Sequence, residues 1–213
     1  MNELFLIIIL IISMLFLPVV YAAGVLLSGY RRPFHSIQEY CMLALSETAI
    51  LRIWLSICKN SGAVFLFAML VLMLYGMSIL CMIDYWEKVV PNRLLLIWLM
   101  LWILCIGLYG AYDMNAMLRH MFGVILGFLF CMFSFGFCYL ISRGSMGAGD
   151  VKLSVIMGIY MTSEYVVGAV LYGCILSAAF SCLMLVSKRM TRKTCIPFVP
   201  FLYLGVIIRY LMG

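Results

Sequence analysis

Two aspartates raise the chemical question. Asp84 closes an apolar run and opens the polar segment Asp84-Tyr85-Trp86-Glu87-Lys88-Val89-Val90-Pro91-Asn92. Asp150 closes Gly147-Ala148-Gly149-Asp150 and is followed by Val151-Lys152-Leu153. Taken singly, each has an ordinary explanation: Asp84 as a charged residue marking a membrane boundary, Asp150 as the cap of a turn between two spans. Together they are more specific, because ionisable groups at or inside a membrane are costly and tend to be functional. Two facing carboxylates share a proton, so that the ionised member acts as base on a water and the neutral member donates to a peptide carbonyl. That chemistry uses no metal, no cofactor and no covalent intermediate. It requires both groups within reach of one water, on rigid helices. Titration would belong to the pair, and the sequence does not divide the roles of acid and base between them.

The neighbours of each aspartate have readable parts. Gly147 and Gly149 permit close approaches that a side chain would block, and they interrupt the apolar pattern where the carboxylate begins the next helix, a position favoured by the helix dipole. Pro91 and Asn92 shape the turn into the following span. Lys152 has two readings, a tuner of the site's charge or a basic residue marking the start of a span. Glu87 and Lys88 read as a solvated loop, with contact to a charged substrate as the rival.

The elements that must position these residues are membrane helices. Of 213 residues, 67% are hydrophobic and 10% are charged, against roughly half and a quarter in soluble domains. Apolar runs recur at about the 20 residues that cross a hydrocarbon core of about 30 Å. The expected fold is an all-α polytopic bundle of about eight spans in contact with lipid, forming a single membrane-embedded domain over residues 1–213. The spans are Leu4 to Ser28, Glu39 to Cys58, Gly62 to Ile83, Leu94 to Gly110, Met121 to Ile141, Asp150 to Thr162, Val166 to Val186, and Ile196 to Leu211. The first reads as a retained helix and not a signal peptide, since it is too long and no basic segment precedes it. The second contains Glu39, Glu47 and Arg52, which leaves a surface-lying amphipathic helix as its rival. A polar connection from Ala111 to His120 separates the fourth and fifth spans, and Asp113 and His120 read as interfacial polar residues remote from the two aspartates. Gly123 and Gly127 form a GxxxG that permits close helix packing.

The net charge of +6 sits in short loops, where it sets topology and does not mark a nucleic-acid surface. With both termini outside, ten of the fourteen basic residues fall on the cytoplasmic side, among them Arg31, Arg32, Lys88, Arg93, Arg143 and Lys152. Omitting the second span would scatter this bias. The same alternation brings Asp84 and Asp150, 66 residues apart, to one depth at the cytoplasmic face of a multi-pass cytoplasmic (inner) membrane protein. The nine cysteines include no CxxC pair, which disfavours a zinc site or disulfide framework. Buried cysteine acting as a small apolar residue is the expected use.

With those residues in view, the chain resembles the prepilin peptidase family of GxGD aspartyl proteases. Asp84 followed by Pro91-Asn92 is similar to the family's first motif, with Val90 where Ile or Leu is usual. Gly147-Ala148-Gly149-Asp150-Val151-Lys152-Leu153 resembles GxGDxKL at every fixed position. Ile196-Pro197-Phe198-Val199-Pro200-Phe201 resembles IPFGP, with Val199 replacing Gly. Fainter echoes are Glu47 and Tyr30-Arg31-Arg32-Pro33. The resemblance covers roughly Ser36 to the C-terminus. It implies an aspartic endopeptidase that cleaves the basic leaders of type IV pilin-like or pseudopilin-like precursors at the cytoplasmic face, with Asp84 and Asp150 catalytic. Many members carry a CxxC-bearing insertion after the first span, linked to methylation of the new N-terminus. Only Tyr30 to Gln38 stand there, so the expected activity is peptidase without methyl transfer.

Two other classes fit less well. Presenilin-like GxGD proteases usually place Tyr before the first Asp, where this chain has Ile83, with Tyr85 after it. A small proton-coupled transporter or channel would place its charges nearer the midplane, often within repeated halves. Here the aspartates lie at span ends and no internal repeat is evident.

Overall fold

The structure is a computed structural model and describes residues 63–142, 146–187 and 196–212. The first two expected spans, Glu47 and the Tyr30–Pro33 segment lie outside the described residues. Within them the protein is helical: α1 Ala63–Glu87, α2 Asn92–Tyr112, α3 Met114–Ile141, α4 Ala148–Val186 and α5 Val199–Met212. The first four are long and apolar enough to cross a membrane, and α5 is shorter. Large apolar side chains stand exposed along the outer faces of α2 and α3, including Leu104, Phe122, Phe133 and Leu140. In lipid that exposure carries no hydrophobic penalty, while the helical form satisfies the backbone. The chain is a membrane protein.

α1 is the most enclosed helix. Its Met69, Met73, Leu74, Met77 and Leu80 are almost wholly buried. Lys88 terminates it in the left-handed conformation (φ 53°), its N–H returning to the Asp84 carbonyl at 2.9 Å. α1 therefore runs through Asp84 to Glu87, instead of stopping at Ile83 as the change in polarity predicts. Pro91, extended at φ −72° and ψ 122°, then caps α2. α2 turns back against α1: the Trp98 ring fills the space left by Gly76, and its indole N–H donates to the Leu72 carbonyl at 3.1 Å. Tyr160 of α4 completes that layer, its hydroxyl donating to the Trp98 carbonyl at 2.7 Å.

One expectation needs correction. The polar connection from Ala111 to His120 does not exist: Asp113 alone separates α2 from α3. Its carboxylate accepts from the Ala116 N–H at 2.9 Å. An Asp is a strong N-cap, so a residue that reads as loop starts a helix, and Arg119 and His120 fall within that helix. The expected division between the sixth and seventh spans is present: α4 consists of two helical arms that meet at a kink at Thr162 (φ 62°, ψ 170°). The chain doubles back there. Asp150 and Cys174 line one cleft, whereas a straight helix would separate them by about 36 Å at about 1.5 Å per residue.

The reversal is set by close packing. A Cβ on Gly127 would lie 2.5 Å from the Gly158 carbonyl oxygen, and one on Gly123 3.2 Å from Thr162 Cβ. The GxxxG of α3 thus lets α4 and its break approach backbone to backbone. The returning arm pairs antiparallel with α5: Tyr165 stacks on Tyr210 at 5.1 Å, Gly173 lies against Leu202, and Phe180 meets Phe201 at 5.2 Å. In consequence the end of α1 and the starts of α2, α4 and α5 gather at one end of the bundle.

Candidate active site

Asp84 stands in the last turn of α1 and is 5% exposed. A carboxylate so enclosed needs donors, and the start of α5 supplies one. The Val199 N–H donates to Asp84 Oδ2 at 3.0 Å, and the Phe198 backbone engages the same carboxylate. The first amides of a helix have no partner within it, so this buried acid and this helix start satisfy each other.

Asp150 stands in the first turn of α4, three residues after its N-cap, Gly147. Its N–H donates to the Gly147 carbonyl at 3.1 Å, and its carboxylate reaches back to the Gly147 backbone, much as the acidic residue of a capping box does. Asp150 is only partly buried. It borders a cleft of about 400 Å³ whose walls include Phe135, Cys138, Val170, Cys174, Ile196 and Phe198. The two aspartates interact electrostatically. One is enclosed and held by main-chain donors, and the other opens to a cleft large enough for part of a peptide.

The segments that follow the two aspartates interlock. A Cβ on Gly149 would stand 2.9 Å from Val90 Cβ, so glycine there admits the linker between α1 and α2. Gly147 has an ordinary backbone (φ −69°). What its missing side chain provides is space beside the Asp150 carboxylate, 3.3 Å from where a Cβ would sit. Lys152 Nζ donates to Asn92 Oδ1 at 3.0 Å, which ties the first turn of α2 to that of α4. The reading of Lys152 as a mere boundary marker leaves this bond out. Pro91 sets the turn from α1 into α2. Asp84, Asp150, Gly147, Gly149, Lys152, Pro91 and Asn92 are all brought to one end of the bundle. Glu87 and Lys88 are exposed at its rim. Asp113 and His120 lie at the other ends of α2 and α3.

The sequence reading missed two features. The N–H of Val199 reaches Asp84, yet main-chain donors leave no trace in residue type. Phe198, Cys138 and Cys174 border the cleft, yet each reads as one more apolar residue of a span. The only signal was the Ile196–Phe201 segment, noted for its likeness and given no role. Among the described residues no group of three His, Cys, Asp or Glu side chains converges in a way that could hold a metal ion. Chemically, the arrangement offers two carboxylates at one end of the bundle, one of them bordering a mostly apolar cleft.

The model of the type IV leader peptidase family matches residues 71–182, a stretch that contains both aspartates. The prepilin leader peptidase/N-methyltransferase of Bacillus subtilis (strain 168) is 24% identical over 135 residues, covering 63% of this chain and 52% of that relative. The chain thus spans about half the length of the curated relative it matches. No solved structure matches. With a match over more than half of its residues, the chain belongs to the type IV leader peptidase family.

Proposed function

We propose that this protein is an intramembrane aspartyl endopeptidase that removes the basic leader of a type IV pilin-like or pseudopilin-like precursor. Asp84 and Asp150 are its catalytic pair. The ionised member takes a proton from a water, which attacks the scissile carbonyl carbon, while the neutral member donates to the carbonyl oxygen. Collapse of the tetrahedral intermediate breaks the C–N bond. The proton taken from water passes to the leaving amine, and the dyad regains its single shared proton. The cleft beside Asp150 receives the peptide on either side of that bond.

The observation that carries this reading is the interlocking of the two aspartate segments, through Val90 on Gly149 and Lys152 to Asn92, with one carboxylate enclosed and its partner at a cleft. Family membership supports it. The distribution of basic residues supports eight spans, termini outside and a site at the cytoplasmic face, in one domain over residues 1–213. The short Tyr30–Gln38 segment without CxxC supports a peptidase that does not methylate its product.

Co-expression with a pilin-like precursor bearing a basic leader tests the substrate class. The expected result is a shortened precursor whose new N-terminus, read by sequencing, lies at the junction of leader and apolar segment. Intact precursors across several pilin-like and pseudopilin-like substrates, with the enzyme present in the membrane, would contradict the proposal.

A further inference from the structure

The start of α5 does more than border the cleft. Phe198 occupies the N-cap position: its carbonyl accepts from the Phe201 and Leu202 N–H groups at 3.1 and 3.2 Å. Val199 is then the first helical residue, and its N–H is free of intrahelical duty. That N–H is the group bonded to Asp84 Oδ2, in a buried contact between residues 115 apart in sequence. The same short segment turns Ile196 and Phe198 into the cleft that Asp150 borders. It therefore touches both halves of the site.

We propose that Val199 is a positioning residue: its main-chain N–H holds Asp84 Oδ2, so that the other oxygen is presented to the reacting water in line with Asp150. Hydrogen bonds to charged groups are short and directional, and this one acts together with the Phe198 backbone, which engages the same carboxylate, to fix it about its side-chain torsions. The role belongs to the amide and not to the side chain, so any residue with an N–H can fill it and proline cannot. This inference rests on the reading of Asp84 and Asp150 as the catalytic pair.

The test removes the amide without disturbing the helix. Proline is tolerated at a first helical position, and the extended N-cap geometry usual before it suits the residue preceding a proline. Val199→Pro therefore deletes one donor. We expect kcat to fall about tenfold or more, KM to stay within about twofold, and the pH–rate profile to be displaced, because one partner of the coupled pair has changed surroundings. Val199→Ala, which keeps the amide, restores kcat to within about threefold of the parent. Should Val199→Pro accumulate poorly or unfold early, a backbone ester at position 199, made with the matching α-hydroxy acid, deletes the N–H alone and decides the matter. An ester or folded proline variant that cleaves at the parental rate with an unchanged pH profile overturns the proposal, as does an alanine variant as impaired as proline. Asp84→Asn and Asp150→Asn are measured beside them. If those two cleave normally, the dyad reading fails. If they are inactive while the amide-deleted proteins are normal, the positioning role alone fails.

Discussion

On the proposed reading, Lys152 and Asn92 act on the reacting bond without touching it. Their hydrogen bond, 3.0 Å long and exposed, joins the first turn of α2 to the first turn of α4, two residues beyond Asp150. Solvent weakens such a contact, so its loss is expected to cost geometry more than stability. Lys152→Met and Asn92→Ala should each lower kcat about fivefold with little change in KM. The double variant should be no worse than either single one, because both remove the same bond. A double-mutant cycle on cleavage rate checks this, and strictly additive losses would show that the two residues act separately. At this scale the sequence was informative where chemistry demands a residue type: a carboxylate at 84 and at 150, a glycine at 149 where Val90 approaches. It was silent about Val199, because its part is played by a backbone group that every residue but proline possesses.

At the scale of elements, α3 sets the depth and angle of α4 through glycine. Gly127 packs on the Gly158 carbonyl, while Gly136, about two and a half turns further on, meets nothing within 4 Å. The same substitution should therefore have opposite effects in one helix. Gly127→Ala overpacks the contact and should destabilise by about 1–3 kcal/mol. Gly136→Ala should be neutral or stabilise by up to about 1 kcal/mol, since alanine is the better helix former. Thermal unfolding in detergent distinguishes them, and equal effects would remove the close-packing account. Gly123 and Gly127 announced this packing in the sequence. The breaks did not announce themselves equally well. Pro91 marked the start of α2, and the reversal falls at Thr162, where the sixth span was expected to end although neither glycine nor proline stands there; its positive-φ backbone packs against Gly123 and Gly127 of α3. At Asp113 polarity misled: Asp113, Arg119 and His120 suggested a ten-residue loop, whereas one capping aspartate suffices to turn the chain and the later polar residues ride on the helix.

At the scale of the whole molecule, successive helices alternate direction, so that everything attached to the two aspartates arrives at one end while Asp113, Thr162 and Arg209 lie at the other. Hydropathy located the apolar helices of this arrangement. It cannot convey which helices touch, since lipid-facing and protein-facing apolar residues look alike. In a cysteine-depleted background, Val89→Cys is expected to react with a membrane-impermeant maleimide only from the cytoplasmic side, and Tyr112→Cys only from the outside; both native side chains are exposed. Labelling of both from one side would contradict the proposed topology. The proposed two-carboxylate protease at the shared end is tested most directly by cleavage of a pilin-like precursor by the purified protein alongside Asp84→Asn and Asp150→Asn, at matched folding. Asparagine preserves shape and removes the titrating carboxylate. Each variant is predicted to lose about 10²–10⁴-fold in rate while still binding precursor; a precursor cut at the parental rate by either variant would contradict the account.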